Sequence, residues 1–198
     1  AFAFSACSEN TTENTEATTE MHDEMDHSSM EHDAMDGTVV VETPDYASVA
    51  EPVKTQVQQL VNQYIKLKDA LVASDAAATK AAANEVLTVA KAMPVANLTG
   101  DAKSFAEEKT ATVVSSAEKI AAAGDVAAQR ENLEQLSESV FAMAKAFDAA
   151  EGTLYYQHCP MALNNKGAYW LSTNKEIRNP YFGDAMMTCG STKEVVNK

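Results

Sequence analysis

The chain is short of basic residues and has no long apolar run. Its 198 residues carry a net charge of −14, and the stretch from Ser8 to Gly37 holds ten acidic residues and no Lys or Arg. A chain with so few cations cannot neutralise a phosphate backbone, which argues against nucleic acid as a partner. No stretch of 18 or more apolar residues occurs, so no segment is predicted to span a membrane.

The residue arrangements typical of enzymes are missing as well. The chain has no Ser-His-Asp arrangement and no Gly-rich phosphate loop. Only one of its four histidines, His158, lies outside the acidic stretch. Without a recognisable nucleophile, base or phosphate cradle, we do not expect an enzyme.

Cysteine is scarce, and the first of the three, Cys7, follows an apolar run that ends in small residues. Such a run is typical of the end of a secretory signal. Phe4-Ser5-Ala6-Cys7 resembles a bacterial lipobox, in which the cysteine is lipidated. The resemblance implies that residues 1–6 are the remnant of a signal peptide and that Cys7 anchors the protein to a membrane. The expected location is the bacterial cell envelope, on the periplasmic or cell-surface side.

Residues 7–46 are predicted to be a disordered tether, because they contain too little apolar surface to order themselves. A near-repeat within them concentrates thioether and imidazole groups at Met21, His22, Met25, His27, Met30, His32 and Met35. Thioethers select soft Cu(I), and imidazole also suits copper. The segment therefore predicts copper binding. The alternative is a polar spacer in which Met and His are incidental.

Residues 47–198 are predicted to form a helical domain. Apolar residues recur at spacings of three and four in four segments, which begin near Val53, Asp75, Thr99 and Asp125 and end by Gly152. Asp75 and Asp125 stand where they would cap the second and fourth helices. Four helices joined by short turns predict an all-α fold, an antiparallel up-down four-helix bundle. None of the apolar stripes carries catalytic groups.

The last 45 residues are predicted to be a loop-rich extension whose aromatic side chains pack on the bundle. Thr173-x-x-Glu176 matches a capping box. It predicts one short helix, which would have to end before Pro180 because the residue preceding a proline disfavours the helical conformation.

Soft metal ligands gather at both ends of this extension, at His158, Cys159, Met161, Met186 and Cys189. Pro160 favours an extended Cys159, which would place Cys159 and Met161 on one side and His158 on the other. A helical turn over Asp184–Cys189 would bring Met186 beside Cys189. The two sulfur pairs would suit Cu(I) or Ag(I), with no metal required for the fold. Alternatively, an oxidising envelope favours a Cys159–Cys189 disulfide, whose loop would contribute about 3.5 kcal/mol.

Several motifs of the domain are also similar to those of a known family. They are Tyr64-Ile65-Lys66-Leu67-Lys68-Asp69-Ala70-Leu71, Ala128-Gln129-Arg130, His158-Cys159-Pro160-Met161-Ala162, Asn165-Lys166-Gly167-Ala168, Trp170-Leu171-Ser172, Ile177-Arg178-Asn179-Pro180-Tyr181-Phe182-Gly183 and Met186 with Cys189-Gly190. Over about residues 50–192 the chain resembles a bacterial domain family of uncharacterised function. The family occurs as stand-alone envelope lipoproteins and appended to periplasmic adaptor subunits of copper/silver efflux pumps.

The resemblance implies a link to metal efflux and a periplasmic adaptor subunit as a partner. Together with the soft ligands, it predicts an envelope lipoprotein that binds Cu(I) as a buffer or chaperone. The alternative is a structural or interaction domain that is pinned by a Cys159–Cys189 disulfide and has no metal role.

The first testable prediction concerns the near-repeat. A peptide of residues 21–35 should bind Cu(I) in competition with a chelator, and replacing its four methionines with leucine should weaken binding. Because thioethers do not titrate and imidazole does so near pH 6.5, part of the affinity should survive at pH 5. Equal affinity of the two peptides would contradict the prediction.

Overall fold

The computed structural model describes residues 40–198 of the chain. The helices are α1 (Glu51–Val72), α2 (Ala76–Lys91), α3 (Gly100–Ala122), α4 (Val126–Arg130) and α5 (Leu133–Ala146). The strands are β1 (Leu154–Cys159), β2 (Ala168–Ser172) and β3 (Ser191–Val196), and a short helical turn spans Ala162–Asn165. Cys7 and the Met/His repeat, for which lipidation and copper binding are predicted, lie outside the described residues.

The helices pack in a closed ring, with α1 on α2, α2 on α3, α3 on α5 and α5 on α1. The predicted caps are confirmed, since the carboxylates of Asp75 and Asp125 accept the backbone N–H groups of Ala78 and Ala128 at 2.9 Å. The predicted fourth helix is broken into α4 and α5, where the Asn132 amide donates to the Ala128 carbonyl at 3.2 Å. No helix in residues 40–198 is long and apolar enough to cross a membrane.

The prediction of an all-α bundle is wrong, because the extension contains a three-stranded antiparallel sheet with strand order β2-β1-β3. The fold of the described residues is mixed α/β. Most of β1 and β2 is buried on both faces, so neither strand shows the alternation of apolar and polar residues that marks a half-exposed strand. Of the aromatic residues that predicted packing on the bundle, Tyr155, Tyr156, Tyr169 and Trp170 are strand residues, whereas Tyr181 and Phe182 lie in the loop between β2 and β3.

The predicted short helix in the extension is also absent, and Thr173–Glu176 forms bends that follow β2. The hydroxyl of Ser172 accepts the Asn174 N–H at 3.0 Å and donates to the Asn174 carbonyl at 3.1 Å. A serine side chain that bonds to nearby backbone groups in this way offers the chain a turn in place of a helix.

The outer edge of β2 lies against the helices, and side chains from elsewhere satisfy its backbone. The fully buried Tyr64 of α1 accepts the Leu171 N–H at 3.1 Å and lies 2.6 Å from the Ser137 hydroxyl of α5. Ser137 donates to the Leu133 carbonyl, so Tyr64 donates to Ser137. The Tyr181 hydroxyl donates to the Tyr169 carbonyl at 2.7 Å. An edge strand that would otherwise be left unpaired is thereby joined to the helical ring.

We predict that Tyr64→Phe destabilises the protein by about 1–3 kcal/mol, because it leaves the buried Leu171 N–H without an acceptor. Urea denaturation measures the loss as a lower midpoint at an unchanged slope. Tyr155→Phe is the matched control, since the half-buried Tyr155 makes no hydrogen bond through its hydroxyl to another described residue. Equal stability of the two variants would contradict the role given to Tyr64.

Candidate metal centre

The structure places two cysteine thiols in contact. Cys159 is the last residue of β1 and is fully buried, whereas Cys189 is half-buried in the turn before β3. Both are free thiols, and Cys159 is the neighbour that raises the pKa of Cys189 most, so the two side chains lie beside each other. The two cysteines are 30 positions apart in the chain, and they meet because β1 pairs with β3 and aligns His158 with Ser191.

Gly190 is required for this approach. Its φ of +141° lies in a region that side chains rarely adopt, and a Cβ atom there would come 2.8 Å from both the His158 carbonyl oxygen and the Trp170 ring. A glycine lets the backbone pass this close to a neighbouring strand. The turn therefore sits directly on β1 and holds Cys189 beside Cys159.

Asn179 positions the turn that carries Cys189, and sequence reasoning assigned it no role. Its side-chain amide donates to the Cys189 carbonyl at 2.8 Å, its backbone N–H donates to the Met187 carbonyl at 2.8 Å, and its side-chain oxygen accepts the Tyr181 N–H at 2.8 Å. It is fully buried. The available signal was the Asn-Pro dipeptide, which favours turns.

Arg130 ties the same loop to the helices. Its guanidinium donates to the Pro180 carbonyl at 2.7 Å, to the Leu71 carbonyl at 3.0 Å and to the Ser74 hydroxyl at 2.9 Å. Leu71 lies in the last turn of α1, where carbonyl groups lack partners within the helix. Arg130 thus joins the Ser74 N–H in bonding to the Leu71 carbonyl at the end of α1, and it ties the loop at Pro180 to that end.

The neighbouring Cys159 changes the acid–base behaviour of Cys189. The hydrogen bond with Cys159, and then burial, raise the pKa of Cys189 from 9.0 to about 11. Below that pH the Cys189 thiol keeps its proton. A soft metal that bound both sulfur atoms would have to displace this proton, because the thiolate is the ligand.

Met161 and Met186 line one open cleft of about 400 Å³, together with Tyr181 and Phe182. Met161 is 47% exposed. Met161 is two residues from Cys159, and Met186 accepts the Cys189 N–H at 3.1 Å across a turn. Each methionine Cα therefore lies within about 7 Å of the Cα of its cysteine.

The local conformations differ from those predicted. The chain turns at Pro160, and Met161 has helical angles of φ −89° and ψ −10°, so the strand alternation does not continue from Cys159 to Met161. A 3₁₀ turn covers Gly183–Ala185, and the Cys189 N–H then closes a separate turn on Met186. Within each pair, the methionine nevertheless lies two or three residues from its cysteine along the chain.

His158 is directed away from the thiols. Neighbouring residues of a strand project to opposite faces, and the His158 ring packs on Tyr169 at a tilt of 40°, with ring centroids 4.3 Å apart. Burial and then Lys193 lower the pKa of His158, so its ring is neutral at pH 7. The structure does not bring this predicted ligand together with Cys159.

Within residues 40–198, no three His, Cys, Asp or Glu side chains lie close enough together to hold one metal ion. A centre on this part of the chain would therefore consist of two thiolates with thioether support. Soft sulfur donors of this kind fit Cu(I) and do not fit ions that need several hard oxygen ligands.

One family of known sequences matches part of the chain. Residues 60–152 match the model of a family described as Protein of unknown function (DUF3347). The match covers most of α1 and continues through α5, and it ends before β1, which carries Cys159. No curated protein and no solved structure matches the chain.

We predict that Cys159→Ala makes Cys189 more reactive. Without Cys159 as the acceptor of its hydrogen bond, the pKa of Cys189 should fall from about 11 towards 9.0. The thiolate fraction at pH 8, and with it the rate of iodoacetamide alkylation, should rise by at least about tenfold. Peptide mass spectrometry reports the rate at Cys189 separately from Cys7. Met161→Leu is the control and should leave the rate unchanged; an unchanged rate in Cys159→Ala would contradict the thiol contact.

Proposed function

We propose that this protein is an envelope lipoprotein that binds Cu(I), or a similarly soft metal ion, as a buffer or chaperone linked to metal efflux. The observation that carries the proposal is the contact between the free thiols of Cys159 and Cys189. Met161 and Met186, two and three residues away along the chain, add thioethers in a cleft that neither cysteine lines. Four sulfur atoms of two kinds in one small region favour a soft ion.

The proposed centre binds metal with release of protons. Cu(I) replaces the thiol protons of Cys159 and Cys189, and the raised pKa of Cys189 makes this exchange more favourable as the pH increases. Met161, which is 47% exposed, offers an accessible first contact for an incoming ion. The buried Cys159 then provides the more protected ligand.

The Met/His repeat from Met21 to Met35 supports the same function independently, through its composition alone. In this proposal the repeat captures metal with thioethers and imidazoles, and the thiol pair retains it more tightly. Cys7 carries the lipid anchor. A periplasmic efflux adaptor subunit is the partner that receives the ion.

A second candidate is a structural or interaction domain with no metal role, pinned by a Cys159–Cys189 disulfide. It is favoured by the same thiol contact, because oxidation in an envelope compartment needs only that the two sulfur atoms meet. Closing a loop of this length would contribute about 3.5 kcal/mol in the chain-entropy model.

Cu(I) uptake by the full chain separates the two candidates. The four methionines of the repeat are first replaced by leucine, its three histidines by asparagine and Cys7 by serine, so that only domain ligands remain. The reduced protein should then take up one Cu(I) in competition with a chromogenic chelator. Met161→Leu with Met186→Leu should weaken binding by about tenfold, equivalent to about 1.4 kcal/mol.

Two controls give this experiment its specificity. Met143→Leu is the same substitution at a fully buried core position of α5 and should leave Cu(I) affinity unchanged, as should His158→Asn on the other face of β1.

Thiol labelling with and without reductant reports the oxidation of Cys159 and Cys189 in protein taken from the envelope. Full oxidation, with no uptake even after reduction, would overturn the copper proposal and leave the disulfide candidate.

A further inference from the structure

A second cleft, of about 390 Å³, lies between α5, the β1–β2 face of the sheet and residues 40–42. Its polar lining consists of the carboxylates of Glu42, Glu134 and Glu138 and the side chains of Tyr156 and Tyr169. It shares no lining residue with the cleft that holds Met161 and Met186. The proposed copper centre therefore makes no use of it.

The charge of this cleft is uncompensated. No Lys or Arg is among its lining residues, and Glu134 and Glu138, one helical turn apart on α5, form no ion pair within the described part of the chain. Burial, and then the charge of Glu138, raise the pKa of Glu134, although the Tyr169 N–H bonds to it. Two like charges at this spacing repel each other, so a cation between them would be stabilised.

Tyr156 supplies a polar group with no described partner. The side chain is 2% exposed and lines the cleft. Its hydroxyl makes no hydrogen bond to any residue from 40 to 198, and burial, together with Glu138 and Glu134 among the nearby charges, raises its pKa. Because no protein group of the described residues occupies this hydroxyl, it is free to bond to a ligand in the cleft.

A stack of aromatic rings holds this hydroxyl in place. Phe141 stacks on Tyr156 at 4.3 Å, Tyr156 on Tyr169 at 4.9 Å, and His158 caps the stack on Tyr169 at 4.3 Å between ring centroids. With a ring on each face, Tyr156 cannot turn away from the cleft. The polar group is therefore pre-organised, which lowers the cost of binding.

The opposite wall of the cleft is also held in place. The buried carboxylate of Glu194 accepts the N–H groups of Val40 at 2.7 Å and Val41 at 3.0 Å. Lys145 of α5 pairs with Glu194 and donates to the Val41 carbonyl at 2.8 Å. Because the Lys145 ammonium group bonds to Glu194 and Val41, it does not neutralise Glu134 or Glu138.

We propose that this cleft binds a small organic cation with several N–H donors, such as an amine or a guanidinium compound. The carboxylates accept its donors and the Tyr156 hydroxyl completes the set. A bare metal ion fits less well, because no three carboxylate, imidazole or thiol groups of the described residues surround one point. A volume of about 390 Å³ is in the range of small-molecule sites.

Isothermal titration of the full chain with agmatine and spermidine at low ionic strength tests the proposal. Tetramethylammonium has the charge without N–H donors, and CaCl₂ supplies a hard ion. We expect one agmatine or spermidine per chain and clearly weaker binding of the other two. Glu134→Gln and Glu138→Gln should each reduce affinity by about tenfold, and Tyr156→Phe by a few-fold with the ring stack intact.

Glu131→Gln is the matched control. This substitution removes the same charge at a position that lines the other cleft. It should leave affinity within about twofold, because Glu131 is exposed like Glu138 but lines the other cleft and offers the ligand no acceptor. An equal loss in Glu131→Gln and Glu138→Gln would overturn the proposal in favour of attraction to the acidic chain as a whole. Preference for calcium, or no binding of either amine at millimolar concentration, would overturn it too.

Discussion

The buried edge of β2 is the constraint on which the rest of the structure depends. Backbone groups that leave water need partners, and here the partners come from α1 and from the loop before β3. The Tyr64 hydroxyl accepts the Leu171 N–H, and the Tyr181 hydroxyl donates to the Tyr169 carbonyl. These bonds join the sheet to the helical ring in one orientation. Because β1 pairs with β2, the same bonds also determine where Cys159 lies against the helices.

The sheet separates two kinds of chemistry. Cys159 projects to one face of β1, where the turn through Gly190 brings Cys189 to it. Tyr156 and His158 project to the other face and stack through Tyr169. The Cys159 thiol and the Tyr156 hydroxyl are therefore kept apart, although both belong to β1. A ligand at one face does not have to displace a ligand at the other.

The helical part of the fold was largely predictable, and the sheet was not. Apolar spacing and the caps at Asp75 and Asp125 are local signals, and they located the helices because each helix buries one stripe. The strands carry no comparable signal, since β1 and β2 are buried on both faces. Thr173–Glu176 matched a capping box, yet Ser172 bonds to Asn174 and the chain bends there. The local motif was outweighed by the strand that precedes it.

The sequence by itself determined which chemical groups are present: an acidic segment with thioethers and imidazoles, two further cysteines, and methionines two and three residues from them. It also determined that His158 and Cys159 would face apart if the chain were extended, because that follows from strand geometry alone. Only the tertiary structure decided that Cys159 meets Cys189 and that Glu134 and Glu138 face Tyr156. Those contacts join positions that are distant in the chain. Their distances are set by the strand register, by Gly190 and by the buried edge of β2.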